Sequence, residues 1–265
     1  MSRLAHALIP AVGILAFSAC AQPMALADSR ESTRTYAQPT ASSAPAKATV
    51  AQSREAAVTH RWGRVVAGDN FQYKGSPKSS EWRVYTGPGH DGNGKRRSSA
   101  WYVNGREAVV TGDSRGKTGG MSAKFSQKYG RWETRMRTNV RDSEYHPALL
   151  LWPDVKRSNC PEVDFAESTK DTKKIKFFLH YGCAPKQTAG RKALDTTKWH
   201  NYAVEWTPTH ITGYIDGVRW FTDSNRSHLP KGRMHQTMQL DWFPDGSRTK
   251  TSKMYVAWVR VYKHR

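Results

Sequence analysis

Arg131-Trp132-Glu133-Thr134-Arg135-Met136-Arg137 places a charged side chain at every second position and a larger or neutral one between. In an extended chain Trp132, Thr134 and Met136 share one face, and the charged residues share the other. That period of two marks a strand with one packed face and one wet face. Outward from it, Tyr202-Ala203-Val204-Glu205-Trp206 and the run from Met254 to Tyr262 are rich in aromatic and β-branched residues, as strands are. Between Ile211–Ile215 and Val218–Phe221 sits Asp216-Gly217, whose tolerance of positive φ suits a two-residue hairpin turn. No segment carries a clear amphipathic helix pattern. Short strands separated by turn residues predict an all-β fold, an antiparallel β-sandwich or jelly roll.

The chain has 265 residues, and its N-terminal part reads differently. Met1 to Ala27 combines Arg3, an apolar stretch from Leu8 to Phe17 and the small-residue site Ala25-Leu26-Ala27, the order of a secretory signal. About ten apolar residues are too few to span a bilayer. Cys20 after Phe17-Ser18-Ala19 loosely resembles a lipoprotein cleavage box, which leaves lipid anchoring as a lesser alternative to free secretion. Residues 28–58, rich in Ala, Ser, Thr, Gln and Pro, hold too little apolar surface to fold and read as a disordered linker. Residues 59–265 form the expected domain. After cleavage only Cys160 and Cys183 remain, an even number in an oxidising compartment, so a disulfide between them is expected, with two buried thiols as the alternative.

The formal net charge is +20. Such a surface is drawn to acidic polymers, whether nucleic acid, anionic polysaccharide or cell envelope. No helix-turn-helix, zinc-ligand spacing or RNP-like run accompanies the charge, so a nucleic-acid partner is not expected. Adhesion to an anionic cell envelope is the expected consequence.

Pro161-Glu162-Val163-Asp164-Phe165-Ala166-Glu167-Ser168 gathers three acids inside a basic, strand-patterned domain. On a strand Glu162 and Asp164 point one way while Val163 and Phe165 point to the core. Glu167 lies an odd number of positions from Glu162, and strict alternation would send it inward. A one-residue β-bulge near Ala166 returns it to the face of the other acids. Like charges so close disfavour joint ionisation, so one carboxyl is raised and protonated while another stays charged. Retaining glycosidases use such a pair about 5 to 5.5 Å apart. By spacing alone, an acidic edge facing solvent or a cation site fits as well.

Glu162-Val163-Asp164-Phe165-Ala166-Glu167 resembles the Glu-x-Asp-x-x-Glu signature of glycoside hydrolase family 16, the concanavalin A-like jelly-roll glucanases. Tyr129-Gly130-Arg131-Trp132-Glu133-Thr134-Arg135-Met136 resembles the family's Tyr-Gly-x-x-Glu-x-Arg strand, Trp199-His200-Asn201-Tyr202 to Pro208 its His-x-Tyr-x-x-x-Trp block, and Ile211 to Gly217 its hairpin. These four segments fall in the family's order. The resemblance implies that Glu162 is the nucleophile, Glu167 the general acid and then base, and Asp164 the residue that tunes both. It also implies that Glu133 and Arg135 contact sugar hydroxyls. Trp152 and Trp242 are candidates for stacking platforms, each with a place in the core as the alternative. His180 faces the cleft or the core depending on strand register. His146-Pro147-Ala148-Leu149-Leu150 departs from the family's Trp-Pro-Ala-x-Trp, and Trp152, two residues past Leu150, lies on the same strand face. Cys160 reaches Cys183 if residues 162–167 pair antiparallel with residues 176–181.

The expected function is that of a secreted, endo-acting, retaining hydrolase of β-glucan, β-1,3 or mixed β-1,3/1,4, with no cofactor required. No metal ligand set is expected; structural calcium of the kind some members carry is not indicated by the sequence. The substrate partner is a polysaccharide, with anionic chains left open by the charge, and the chain is expected to be a monomer. The alternatives are a transglycosylase using the same acids and a non-hydrolytic carbohydrate-binding module on the same fold.

Overall fold

Alternation of the Arg131–Arg137 kind recurs along the chain and builds strand after strand. The computed structural model describes residues 54–155, 160–182 and 186–264. In chain order these carry β1 (Val65–Asp69), β2 (Lys74–Gly75), β3 (Trp82–Tyr85), β4 (Gly87–Pro88), β5 (Lys95–Arg96), β6 (Trp101–Asn104), β7 (Ala108–Gly112), β8 (Lys117–Gln127) and β9 (Gly130–Thr138). The second half carries β10 (Tyr145–Pro153), β11 (Glu162–Glu167), β12 (Lys174–His180), β13 (Gln187–Ala193), β14 (His200–Trp206), β15 (Ile211–Ile215), β16 (Val218–Asp223), β17 (Met234–Trp242) and β18 (Ser252–Tyr262). The expected signal sequence and most of the expected linker lie outside the described residues.

Two sheets form. One runs β16-β15-β14-β9-β18-β7-β6-β2, with β1 also on β18; the other runs β13-β12-β11-β10-β17-β8-β5-β4, with β3 also on β8. Neighbouring strands are antiparallel apart from the short β5·β8 pair. Trp132, Met136, Tyr202, Val204, Val256 and Val259 of the first sheet enter one buried cluster with Leu149, Leu151, Val163, Phe165, Phe177, Met238 and Leu240 of the second. These residues alternate along their strands except on β18, where a bulge between Val256 and Trp258 shifts the phase so that Val259 also faces the core. Burying a side chain of this size is worth roughly 1.5–3 kcal/mol, so the shared core is what clamps the sheets face to face. The fold is the expected all-β jelly-roll sandwich. Asp216 at φ 51° and Gly217 at φ 76° make the two-residue turn between β15 and β16.

The N-terminal edge of the fold differs from expectation. Residues 54–58, read as the end of the linker, pack on the outer face of the first sheet. Ala56 and Ala57, in the one-turn helix α1 (Ala56–Thr59), are buried with Trp62 against Ala203, Tyr214 and Tyr262. Their amides donate to the two carboxylate oxygens of Glu133, at 2.6 and 3.0 Å. Arg54 pairs with Asp216 at 2.5 Å, and Arg260 pairs with Glu55 at 2.7 Å. Small Ala56 and Ala57 permit this close seat, which composition alone does not reveal.

Candidate active site

The three acids stand on β11, between β10 and β12. Opposite β10, Ala148 pairs with Glu167 and Leu149 with Ala166, but Leu150 pairs with Asp164, so Phe165 is the extra residue. The bulge therefore lies beside Ala166. Val163, Phe165 and Ala166 are all in the core, while Glu162, Asp164 and Glu167 line one cavity on the opposite face. On the other side of β11 the register skips at the same place, with Asp164 opposite Phe178 and Glu167 opposite Lys176.

That cavity is about 300 Å³ and is also lined by His146, Ala148 and Leu150 of β10, Phe178 and His180 of β12, and Gln239 and Asp241 of β17. A second hollow of about 410 Å³ shares His90, Glu162 and Gln239 with it and reaches Tyr85, Arg96, Trp152 and His235. Together they make a groove across the strands of the second sheet. His180 Nε2 lies 3.2 Å from Asp164 Oδ2, and Gln239 donates to Tyr85 at 2.7 Å. Arg96 holds Asp241 at 2.6 Å, both nearly buried. Phe243 stacks on His146 at 4.1 Å between ring centres. A larger hollow, about 590 Å³, lies along Val65–Tyr73 and Arg260. Its single carboxylate, Asp69, is committed to the Phe71 amide, the Tyr73 hydroxyl and the Trp82 indole, so it holds no acid pair.

Burial dominates the electrostatics. It pushes Glu162 up to about 8, with Asp164 adding to the shift. It pushes Glu167 up to about 7, with the charge of Glu162 next in weight and His180 and Lys176 opposing. Asp164 is raised well above the usual carboxylate range by burial and by Glu167. Asp241 is raised by burial against the pull of Arg96. Glu162 and Glu167, raised this far, keep a proton into the neutral range, the condition for supplying an acid. His146 goes the other way, down to about 4, through burial and the Arg141 charge, which favours the neutral imidazole.

His180 and Trp152 reach the groove. His180 pairs with Glu162 across β11 and β12, and Trp152 stands at the rim, 47% exposed. Glu133 and Arg135 do not. Both lie on the non-core face of β9, but β9 belongs to the other sheet, so that face is the far side of the sandwich. Glu133 is fully buried under α1, and burial raises it to about 7 although two amides pull it down. Arg135 donates to Asn201 at 3.0 Å and covers the Trp199 ring. Trp242 is also outside the groove. It packs against the core, close under Gly116, and its indole donates to Glu144 and Thr249 at 3.3 Å each. The antiparallel β11·β12 pairing that a Cys160–Cys183 bridge needs is present, and Cys183 lies outside the described residues.

Sequence reasoning passed over Asp241, Gln239, Arg96, Tyr85 and His90. Asp241 and Gln239 were accessible through parity, since Met238 and Leu240 alternate into the core. Arg96 sits on a two-residue strand among glycines, where no periodicity exists to be read. Glu162, Asp164 and His180 offer ligand atoms within 4.8 Å of one another. They could take a divalent cation, which would occupy the carboxylates needed for acid chemistry.

Several solved structures share the fold. The catalytic domain of an endo-1,3-beta-glucanase (laminarinase) from Thermotoga petrophila is 20% identical, with a TM-score of 0.67 over 76% of this chain and 98% of that one. A laminarinase from Rhodothermus marinus is 22% identical, with a TM-score of 0.66 over 76% of this chain and 97% of that one. A pseudo beta-1,3-glucanase of Mycobacterium tuberculosis, described as an immunostimulatory antigen, is 19% identical, with a TM-score of 0.66 over 77% of this chain and 100% of that one. At these identities the likeness is one of fold. No curated protein sequence matches the chain. The model of the glycosyl hydrolases family 16 matches residues 92–260, well over half the chain and the whole acid strand, and the chain belongs to that family of glycosidases.

Proposed function

We propose that this glycosidase is a secreted, endo-acting, retaining β-glucanase whose acid pair is Glu162 and Glu167. The carrying observation is the bulged β11, which turns both glutamates and Asp164 into one groove while Val163, Phe165 and Ala166 fill the core. In the first step a carboxylate oxygen of Glu162 attacks the anomeric carbon. Glu167 gives its proton to the glycosidic oxygen, and the leaving chain departs with its new hydroxyl. Glu167, now ionised, takes a proton from water, whose oxygen displaces Glu162 from the anomeric carbon and restores both groups. Glu162 must be ionised to act as a nucleophile, and the hydrogen bond it shares with buried Asp164 gives its proton a place to go. No cofactor takes part in these steps.

The bulged spacing and the fold likeness to laminarinases support a β-1,3 preference, with mixed linkage second. The groove runs across the strands, as an endo mode of attack requires. The Ala25-Leu26-Ala27 site supports export, and export supports a Cys160–Cys183 bridge beside the acids. A monomer, with its cationic surface adhering to an anionic envelope, fits the same reading.

The test is to incubate the purified chain with laminarin, lichenan, curdlan, agar and carrageenan and to size the products. Release of oligosaccharides from laminarin is expected, together with its loss in Glu162→Gln at unchanged fold and sugar binding, because an amide cannot form the glycosyl ester. Normal turnover by that variant refutes the assignment. Binding without cleavage by the unaltered chain would instead favour a carbohydrate-binding module, a reading to which the pseudo beta-1,3-glucanase of the same fold lends weight.

A further inference from the structure

Beside the cavity, whose lining includes neither Lys176 nor Arg191, the groove face continues onto an arm that is more basic than the chemistry of the acids requires. β12 and β13 carry Lys174, Lys176, Arg191 and Lys192 and not one Asp or Glu. Ile175, Phe177 and Leu179 of β12 enter the core, which leaves Lys176, Phe178 and His180 on the groove face. On β13, Thr188 donates to Asp223 and Gly190 packs against Phe221, which leaves Gln187, Ala189 and Arg191 on that face.

The register makes a row. Glu167 stands opposite Lys176, and Lys176 stands opposite Arg191. Strands lie roughly 4.8 Å apart, about the length of one sugar ring, so Lys176 sits about one ring from the acid and Arg191 about two. Phe178 and Ala189 form an apolar floor beside this row, and Ala189 and Ala193 leave Arg191 unscreened on its strand.

Two cations directly opposite each other on neighbouring strands repel and weaken the sheet. Elsewhere on this basic surface cations find acids, as Lys174 does in Asp171 at 2.6 Å and Lys170 in Asp245 at 2.8 Å. Among the described residues neither Lys176 nor Arg191 is paired with a carboxylate. An anion lying between them would relieve the repulsion and take the guanidinium fork in two hydrogen bonds.

We propose that this arm binds an acidic substituent, carboxylate or sulfate, on the sugars next to the scissile bond, so that the preferred substrate is an anionic β-glucan chain. The inference rests on the reading of the groove as a β-glucanase site. Laminarin, lightly carboxymethylated laminarin and lightly sulfated laminarin, compared at low and high salt, test it. The expected ratio of kcat/KM for acidic over neutral chain is roughly tenfold or more at low salt, the scale of one charge-assisted hydrogen bond. It should shrink as salt screens the contact. Arg191→Gln should bring the ratio near one, and Arg191→Lys should keep part of it. The better of the two acidic chains identifies the substituent.

Retention of Glu162→Gln in gels cast with each polymer supplies a readout without turnover. Equal cleavage and equal retention of neutral and acidic chains, unchanged by Arg191→Gln, overturns the inference and leaves the β-glucanase reading standing. Charge-dependent retention lost in Arg191→Gln with no cleavage of any chain upholds the arm and overturns the β-glucanase reading.

Discussion

Asp241 and Trp242 are neighbours in sequence that face opposite ways, and the difference fixes their roles. Asp241 lies in the groove, nearly buried and held by Arg96, and its charge raises both Glu162 and Glu167. Asp241→Asn removes that charge and leaves the Arg96 cation unneutralised, and both changes favour ionised glutamates. Glu167 should then lose its proton earlier, moving the alkaline limb of the kcat/KM profile down by roughly one pH unit. A limb that stays in place, or moves up, contradicts this coupling. The acids of β11 were legible because charge is rare on a buried strand, whereas His180 stayed open until the β11·β12 register placed it opposite Glu162. Trp242 misled because ring size says nothing about face. The parity set by Met238 and Leu240 said that Asp241, and not Trp242, shares the groove face with Gln239.

The extra residue in β11 does what no side-chain substitution can. Deleting Ala166 removes the bulge and leaves Glu-Val-Asp-Phe-Glu, in which plain alternation keeps all three acids on the groove face and Val163 and Phe165 in the core. Hydrolysis should therefore survive the deletion, reduced by the shift of the last glutamate relative to Glu162, and stability should fall by about 1 to 3 kcal/mol as the core loses Ala166. Thermal melts and assays on laminarin check both, and complete loss of turnover in a folded deletion variant would show that the acids need the bulged spacing. The bulge could be read from three acids with one out of phase. The placement of β9 could not. Alternation correctly put Glu133 and Arg135 on the face away from Trp132 and Met136, but the sheet to which a strand belongs is decided by pairings between β9, β14 and β18, far apart in the chain. A correct face on the other sheet became the far side of the molecule.

Across the whole molecule, Glu162 at about 8 and Glu133 and Glu167 at about 7 link folding to pH. A carboxyl whose pKa is higher folded than unfolded holds its proton more tightly in the native state. Its contribution is complete below about 4.5 and is lost as pH rises through about 7 to 8. The melting temperature should fall between pH 5 and pH 9, and Glu162→Gln should fall less by an amount worth a few kcal/mol at most. The net charge of +20 works in the opposite sense, since repulsion eases at higher pH, but it is nearly common to both proteins and cancels in the difference. Parallel curves for the two proteins would contradict the linkage. The seat of α1 has a consequence for the order of assembly. Its partners are Glu133 on β9, Ala203 and Tyr214 in the middle of the chain, and Tyr262 close to its end. A growing polypeptide presents Arg54 to Trp62 long before Tyr262 exists, so the earliest of the described residues to leave the ribosome must be among the last to find their place.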